Sequence, residues 1–279
     1  MPPKAVMPVP MLFDSHAHYD DKRFFGDEVP EGRDALLSEI FRGGVGKILN
    51  AGTNPDTSRA ALALAGRYPG FYAAVGVHPS DCPRYSDMDK TISEIEELAK
   101  AEKAVAIGEI GLDYHYDHSP FDVQKKWFEA QLSLARSLDL PAVIHDRDAH
   151  GDVFEILRRT KGVTAIIHSC SESAETVRQY AKMGFYISFS GTVTFKNAAN
   201  VALAAAAVPA DLLLAETDCP YLAPHPMRGK LNHSGYLKYT VAKLAEIRGV
   251  SYEEAEDLTY RNALRVFRIS DTEERKDPK

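Results

Sequence analysis

The chain is predicted to fold as a (β/α)8 barrel, the TIM-barrel form of the α/β class. Eight short apolar segments recur along its 279 residues, and segments with helical periodicity separate them. Eight strand–helix units spread over roughly 250 residues match the size of such a barrel. A doubly wound parallel sheet is the alternative, but the sequence lacks the GxGxxG turn that would favour it after the first strand.

The apolar segments have the composition of strands in a parallel sheet. Several are continuously apolar rather than alternating, among them KILNAG, FYAAVGV and TAIIHS, as is typical of strands that are buried on both faces. The predicted strands are Leu12–His18, Gly46–Gly52, Phe71–His78, Ala104–Asp113, Pro141–Arg147, Val163–Cys170, Gly184–Gly191 and Leu212–Asp218.

Amphipathic periodicity predicts the helices between these strands. In Val123–Leu138 the apolar residues recur at three- and four-residue steps, which places them on one face of a helix. Met88–Lys103 and Ser173–Met183 show the same pattern. The last two helical segments, Leu237–Ile247 and Tyr252–Val266, are expected to close the barrel.

The predicted barrel forms a single domain over residues 11–268. We expect a loose proline-rich leader at residues 1–10 and a frayed, charged tail at residues 269–279. The sequence has neither a signal-peptide stretch nor an apolar run of about 18 residues that could span a membrane. Its three cysteines are widely spaced and suggest neither a disulfide framework nor a CxxC zinc site. We therefore expect a cytoplasmic protein that makes no membrane contact.

The net charge of −7 limits the partners that we expect. Affinity for duplex DNA depends on basic residues that face the phosphates, so an acidic protein is not expected to coat duplex DNA. A small anionic substrate remains compatible with this charge. So does a nucleic-acid end that is held by a metal and a few basic residues.

Side chains of the metal-ligand type lie late in several predicted strands. His16 and His18 end the first one, and side chains at positions i and i+2 of a strand face the same way. Taken alone, such a histidine is more often a hydrogen-bonded core residue than a ligand. Four further residues of this type lie late in other predicted strands: Glu109, His145, His168 and Asp218. Because strand carboxyl ends converge on one face of a barrel, the six residues are predicted to share a pocket that suits one or two divalent ions.

Four motifs resemble those of the TatD family of metal-dependent hydrolases. FDSHAHYD (13–20) resembles the opening signature of that family, and GEIGLDY (108–114) resembles its central motif. PAVIHDRDA (141–149) and LLAETDCP (213–220) resemble its second and third signatures. The resemblance implies a barrel of the metal-dependent amidohydrolase type that binds divalent metal. It also implies deoxyribonuclease activity, often as a 3′ exonuclease, although some members are linked to the removal of D-amino acids from tRNA.

The resemblance implies that two ions divide the six ligands. One ion would be held by His16, His18 and Asp218. The other would be held by His145 and His168, with Glu109 as the bridge. Two ions roughly 3.5–4 Å apart can clamp the attacking and leaving oxygens of a phosphodiester and lower the pKa of a bound water. Asp218 is the candidate general base, with a role as ligand only as the alternative.

The identity of the metal stays open between magnesium, zinc and manganese. Four histidines favour zinc or manganese because imidazole is a softer ligand than water or carboxylate. The nuclease chemistry of the TatD family is commonly assigned to magnesium instead.

Three other residues are candidate substrate contacts: His78, Arg147 and Arg228. His78 matches a histidine of the family and would contact a substrate phosphate or cap the loop before the next residue, a proline. Arg147 could bind a phosphate through two hydrogen bonds or pair with a neighbouring aspartate. Arg228 lies in RGKLN, which resembles the family, but Ser234 stands where family members commonly have proline. This loop therefore departs from the family pattern.

Three functions are compared. The leading one is a metal-dependent 3′–5′ exodeoxyribonuclease, whose small barrel mouth suits single-stranded DNA or another nucleic-acid end better than a duplex. The alternative is D-aminoacyl-tRNA deacylation or amidohydrolase-type cleavage of an ester or amide at the same site. The third is a binding protein with a structural metal, which six ligands disfavour because structural zinc sites are closed by four. We expect a monomer or weak oligomer.

Overall fold

The structure is a computed structural model that describes residues 11–116 and 119–271. Its strands are β1 (Leu12–Ala17), β2 (Val45–Ala51), β3 (Phe71–Val75), β4 (Ala104–Asp113), β5 (Ala142–Arg147), β6 (Ala165–Ile167), β7 (Tyr186–Phe189) and β8 (Leu213–Ala215). Its α-helices are α1 (Arg33–Arg42), α2 (Pro55–Arg67), α3 (Met88–Ala99), α4 (Phe121–Ser137), α5 (His150–Arg159), α6 (Ala174–Lys182), α7 (Ala199–Ala207), α8 (Leu237–Arg248) and α9 (Tyr252–Val266). The predicted leader (1–10) and residues 272–279 of the predicted tail lie outside the described residues.

The strands form one parallel sheet in chain order, in which each strand pairs with the next. The end of β1 meets the segment after β8 through a parallel bridge between Ala17 and Cys219. The Ser15 hydroxyl also donates a hydrogen bond of 3.1 Å to the Ala215 carbonyl oxygen. The predicted (β/α)8 barrel is confirmed, and a doubly wound sheet is excluded because its two edge strands would not meet.

Local sequence signals define the ends of several helices. α2 begins after Asn54, whose side chain accepts hydrogen bonds from the first turn, with Pro55 at the first helical position. α9 begins after Ser251, which forms a reciprocal capping box with Glu254. α8 ends at Arg248 and is capped by Gly249, which adopts the left-handed conformation with φ 66°. None of the helices in the described ranges is both long and apolar enough to cross a membrane.

Alternation along the strands separates two buried layers. Side chains that face away from the barrel axis, such as Ile48 and Ile144, pack under the helices. Side chains that face the axis form a second apolar cluster inside the barrel, which includes Phe13 and Val143. Residues of α9, among them Tyr260, and Phe267 just after the helix belong to this inner cluster and close the barrel at the amino-terminal ends of the strands.

Several strands end earlier than predicted. β6 ends at Ile167 and β8 at Ala215, so His168 and Asp218 follow their strands rather than lying within them. His18 likewise follows β1, whose pairing with β2 is irregular near its end. The backbone leaves the regular ladder at these points, which frees the side chains to turn toward the barrel axis.

Glu109 is the sixth of the ten residues of β4, so it lies inside the strand rather than late in it as predicted. The pairing of β4 with β5 is irregular between Ile107 and Ile110. Within that stretch the Glu109 amide donates a hydrogen bond of 2.8 Å to the Gly52 carbonyl oxygen, just beyond the end of β2. This irregularity allows a carboxylate in mid-strand to face the barrel axis.

Candidate metal centre

The six predicted ligand residues meet at the carboxyl-terminal end of the barrel. The Nε2 atoms of His16 and His18 are 3.0 Å apart, and Glu109 Oε2 lies 3.4 Å from each. All three side chains are buried. Asp218 adds a second carboxylate on this side, with Oδ1 3.6 Å from His18 Nε2 and 4.0 Å from His16 Nε2.

The other oxygen of Glu109 faces a different pair of histidines. Oε1 lies 2.7 Å from His145 Nδ1 and 2.9 Å from His168 Nε2, and those two nitrogens are 3.3 Å apart. The Glu109 carboxylate therefore lies between two groups of imidazoles, one at each oxygen.

Hydrogen bonds on the outer nitrogens orient three of these imidazoles. His18 Nδ1 donates to the Ala51 carbonyl oxygen at 2.9 Å, because a carbonyl can only accept. His145 Nε2 lies 3.1 Å from Asp113 Oδ2. His168 Nδ1 lies 3.2 Å from Oε1 of the buried Glu216. Such outer partners are typical of metal-binding histidines, because they fix the ring and leave the inner lone pair free.

This set of donors fits a divalent cation. When the outer nitrogens carry the protons, the inner nitrogens present lone pairs to one another and to two carboxylates. Lone pairs cannot hydrogen-bond to each other, so a cation or additional protons must lie between them. Imidazole and carboxylate are ligands of zinc and related divalent ions.

Both carboxylates of the cluster carry charge at neutral pH. Burial opposes the charge of Glu109, but the neighbouring imidazoles of His168 and His16 hold its pKa well below the usual range. Burial also opposes the charge of Asp218, and its contact with His18 lowers the pKa of that carboxyl. The cluster thus keeps two negative charges, that of the buried Glu109 and that of the partly exposed Asp218, as a cation site requires.

Backbone geometry places two of the ligands. A Cβ at Gly111 would lie 2.0 Å from the His145 carbonyl oxygen, and φ there is 146°, so only glycine lets β4 run this close to β5. Asp218 itself adopts the left-handed conformation, with φ 56°. The buried Asp14 braces that turn by accepting hydrogen bonds from the amide and hydroxyl of Thr217.

His78 lies beside the cluster, as the sequence predicts for a residue at the barrel mouth. Its Nε2 is 3.8 Å from Glu109 Oε1, and its ring centroid is 4.4 Å from that of His145. Burial and the nearby His145 lower the pKa of His78 to about 3, so the ring is neutral at physiological pH. Its Nδ1 accepts a hydrogen bond from the Ser80 amide, which gives it the predicted loop-capping contact as well.

The two predicted arginines lie on aromatic rings. The Arg147 guanidinium is 4.8 Å from the ring centroid of the exposed Tyr116. That of Arg228 is 4.0 Å from the ring centroid of Phe195, and the same side chain donates to the Ala223 carbonyl oxygen at 3.1 Å. Arg228 also lines a cavity of about 430 Å³.

Sequence reasoning missed the roles of Asp113 and Glu216 as outer partners of the histidines. Asp113 lies four residues after Glu109 on β4, and Glu216 lies two residues before Asp218. An even spacing from a predicted ligand along the same predicted strand is a signal that could have identified both. It also missed Tyr221, whose exposed ring lies 6.3 Å from that of His18 between centroids.

The chain is similar to known proteins over nearly its whole length. A family model described as TatD related DNase matches residues 13–268. The Bacillus subtilis protein named uncharacterized metal-dependent hydrolase YabD is 43% identical over 264 residues, covering 93% of this chain and all of that protein. The Escherichia coli K12 protein named uncharacterized metal-dependent hydrolase YcfH is 35% identical over 260 residues, covering 92% and 96% of the two chains.

Solved structures agree with these matches. The crystal structure of YjjV, a TatD homologue from Escherichia coli K12, matches with a TM-score of 0.85 and 30% identity, covering 94% of this chain and 100% of that one. A TatD family hydrolase from Entamoeba histolytica shares the fold, with a TM-score of 0.82 and 19% identity, covering 92% and 98% of the two chains. The resemblance predicted from the four motifs is therefore confirmed, and the chain belongs to the TatD family of metal-dependent hydrolases.

Proposed function

We propose that this protein is a deoxyribonuclease that removes nucleotides from the 3′ end of single-stranded DNA, using two divalent ions. The observation that carries the proposal is the division of Glu109 between two groups of nitrogen donors, at 3.4 Å from one oxygen and 2.7–2.9 Å from the other. A carboxylate in that position suits the bridge of a two-metal site, and paired ions are a recurrent device of phosphodiester hydrolysis.

In this proposal the ligands of one ion are His16, His18 and Asp218. The ligands of the other are His145 and His168, with Glu109 shared. Magnesium, zinc or manganese, when bound, supplies positive charge against the phosphodiester oxygens and lowers the pKa of an attacking water. The protein holds these ligands rigidly through the outer partners of the histidines.

Asp218 is the proposed general base. Its carboxyl is deprotonated at neutral pH, so it can accept the proton of the attacking water. The water oxygen forms a bond to phosphorus, and the bond from phosphorus to the O3′ of the penultimate nucleotide breaks. The proton passes from Asp218 to that leaving oxygen.

A basic groove beside the cluster favours a nucleic-acid strand as substrate. The cavity of about 430 Å³ is lined in part by Arg23, Tyr221, Arg228 and Lys230. The Arg23 guanidinium lies 4.1 Å from the Tyr221 ring centroid, and the Tyr221 amide donates to the Asp218 carbonyl oxygen at 3.0 Å. An exposed aromatic ring next to the candidate centre can stack on a base, which contributes about 1–3 kcal/mol. Arg228 and Lys230 can face phosphates, whereas Arg23 is paired with Asp21 through two side-chain hydrogen bonds.

The experiment measures release of nucleotides from 5′-labelled single-stranded DNA by the metal-free protein, with and without added magnesium, manganese or zinc. We expect stepwise shortening from the 3′ end that depends on metal and is blocked by a chelator. Asp218→Asn, purified identically, controls for contaminating nucleases and is expected to lose about 10²–10⁴-fold in kcat. If that variant keeps its metal content, the lost activity reflects the missing base and not a missing ion.

Parallel assays on D-aminoacyl-tRNA and on amide substrates separate the alternative, because the ligands specify the nucleophile and not the bond that it attacks. Metal-dependent release of D-amino acid by a preparation that leaves DNA intact would replace the present proposal. A protein that binds metal yet cleaves none of these substrates would contradict both. The cytoplasmic location and the monomeric or weakly oligomeric state stay predictions, the latter open to sedimentation measurements.

A further inference from the structure

A second group of metal-ligand-type side chains lies on the other face of β5. Asp146 follows His145 on this strand, and successive side chains of a strand face opposite sides, so Asp146 faces the helices rather than the barrel mouth. His150 is the first residue of α5, and Glu172 lies between β6 and α6. One ligand atom from each of Asp146, His150 and Glu172 lies within 4.8 Å of the other two.

The distances within this group are those of ligands around one point. His150 Nδ1 lies 2.8 Å from Glu172 Oε1 and 3.1 Å from Asp146 Oδ1. Bonds of about 2.0–2.1 Å to a tetrahedral zinc ion place its ligand atoms about 3.3 Å apart. A small shift of the two carboxylates would therefore accommodate such an ion.

Four polar atoms of this group are buried and form no hydrogen bond within the described residues. The Asp146 and Glu172 side chains are only 3% and 4% exposed. Both Asp146 oxygens, Glu172 Oε1 and His150 Nδ1 form no hydrogen bond within the described part of the chain, since their close contacts lack hydrogen-bond geometry. Burying two carboxylates is costly unless a positive charge compensates them, and both of these lie against the same imidazole. The buried hydroxyl of Tyr180 likewise forms no hydrogen bond with any of the residues that the structure describes.

We propose that Asp146, His150 and Glu172 form a second divalent-cation site, separate from the candidate metal centre and suited to zinc. One imidazole nitrogen and two carboxylate oxygens are zinc ligands, and a water can complete the tetrahedron where His150 is 42% exposed. A cation here would tie together the segments that follow His145 and His168. It would support the position of those residues without touching the substrate.

The competing occupant is a proton. Contacts with Asp146 and Glu172 raise the pKa of His150 to about 10, so an imidazolium held between the two carboxylates would also compensate their charge. The two occupants can be distinguished, because binding of a cation must release the His150 proton into solution.

The experiment counts bound zinc in the full-length protein. Glu172→Gln and His150→Gln are compared with the wild type after removal of metal, titration with zinc against a chromophoric competitor, and elemental analysis. His115→Gln is the matched control, because His115 is a similarly exposed histidine that pairs with one aspartate, Asp148, at 2.8 Å. We expect one equivalent of zinc fewer, or at least about tenfold weaker binding of that equivalent, in the two test variants only.

A second background keeps the result independent of the proposed nuclease function. The His16→Ala protein lacks a ligand of the candidate metal centre but should still bind zinc at the second site. Adding Glu172→Gln to this protein should remove that equivalent of zinc. Zinc-edge anomalous density between Asp146, His150 and Glu172 would locate it. Equal zinc content and affinity in wild type, Glu172→Gln and His150→Gln would overturn the proposal. In that case, His150 that stays doubly protonated at pH 8 in the presence of zinc, measured by ¹⁵N NMR, would identify the proton as the occupant.

Discussion

The two halves of the barrel interior are formed by the same strands, but one half is apolar and the other is lined by ionisable side chains. In β5, Val143 belongs to the inner apolar cluster, and His145 two residues later belongs to the candidate metal centre. Ile166 and His168 form the same kind of pair at β6. A step of two residues covers about 6.6 Å and keeps the side chain on the same face of the sheet. The apolar core and the candidate metal centre are therefore adjacent layers of side chains, with no further layer between them.

The lower half, at the amino-terminal ends of the strands, is held by aromatic packing. Phe13 lies 6.5 Å from Tyr72, 6.3 Å from Tyr260 and 5.6 Å from Phe267, measured between ring centroids. Two of these partners belong to α9 and the residue after it. Burial of such rings stabilises the fold without any direction-dependent bond.

The upper half depends on directed contacts instead. His168 meets Glu216, and His145 meets Asp113, at distances of 3.1–3.2 Å. These contacts fix ring orientation, which apolar packing alone does not do. Stability and chemistry therefore depend on separate layers of side chains in one barrel. Substitutions in each layer can test this separation.

The largest effect is expected from Glu109→Ala in the upper half. We expect kcat/KM on DNA to fall by at least about 10³-fold, because this residue would serve both ions, whereas loss of an outer partner costs about 10–100-fold in activity or metal affinity. The fold should survive, as measured by circular dichroism and cooperative melting. Glu109→Gln, which keeps the shape and removes the charge, is the matched variant. Unfolding of both variants would point to a structural metal instead.

The next effect concerns the lower half. Phe13→Ala removes a buried ring from the inner cluster and should lower the free energy of unfolding by about 3–5 kcal/mol, measured by urea titration. The metal content of the folded fraction should not change. Phe25→Ala is the control, since Phe25 is 62% exposed. Loss of metal from folded Phe13→Ala protein would show that the two halves are not independent.

A smaller effect is expected from Asp113→Asn, which weakens the outer contact of His145. Metal affinity should fall by about 10–100-fold, while the free energy of unfolding of the metal-free protein changes little. Asp148→Asn serves as control because Asp148 is an exposed aspartate that pairs with His115. If Asp113→Asn binds metal as tightly as the wild type, then the contact of Asp113 with His145 does not contribute to metal binding.

Much of this comparison could be predicted from the sequence. Continuous apolar segments are sufficient to count the strands, and the ligand set follows from motifs such as the one around His16 and His18. The outer partners could not be predicted, because the contact of Glu216 with His168 joins two segments that only the closed barrel brings together. The same holds for Asp146 and Glu172. The end of β3 was placed too late because apolar residues, among them Val77, continue after the strand stops at Val75.

The smallest effect is expected from a substitution in the apolar layer next to the candidate metal centre. Ile166→Val removes one methylene from the layer directly below His168 and should cost about 0.5–1.5 kcal/mol of unfolding free energy. If directed contacts alone hold His168, the metal affinity should stay within about threefold of the wild-type value, as measured by competition with a chelator. A tenfold change in affinity would correspond to about 1.4 kcal/mol of binding free energy. Ile187→Val makes the same change in the layer under the helices. If Ile166→Val weakens metal binding and Ile187→Val does not, then packing in the lower half also positions the ligands, because the cavity would let His168 move away from Glu109.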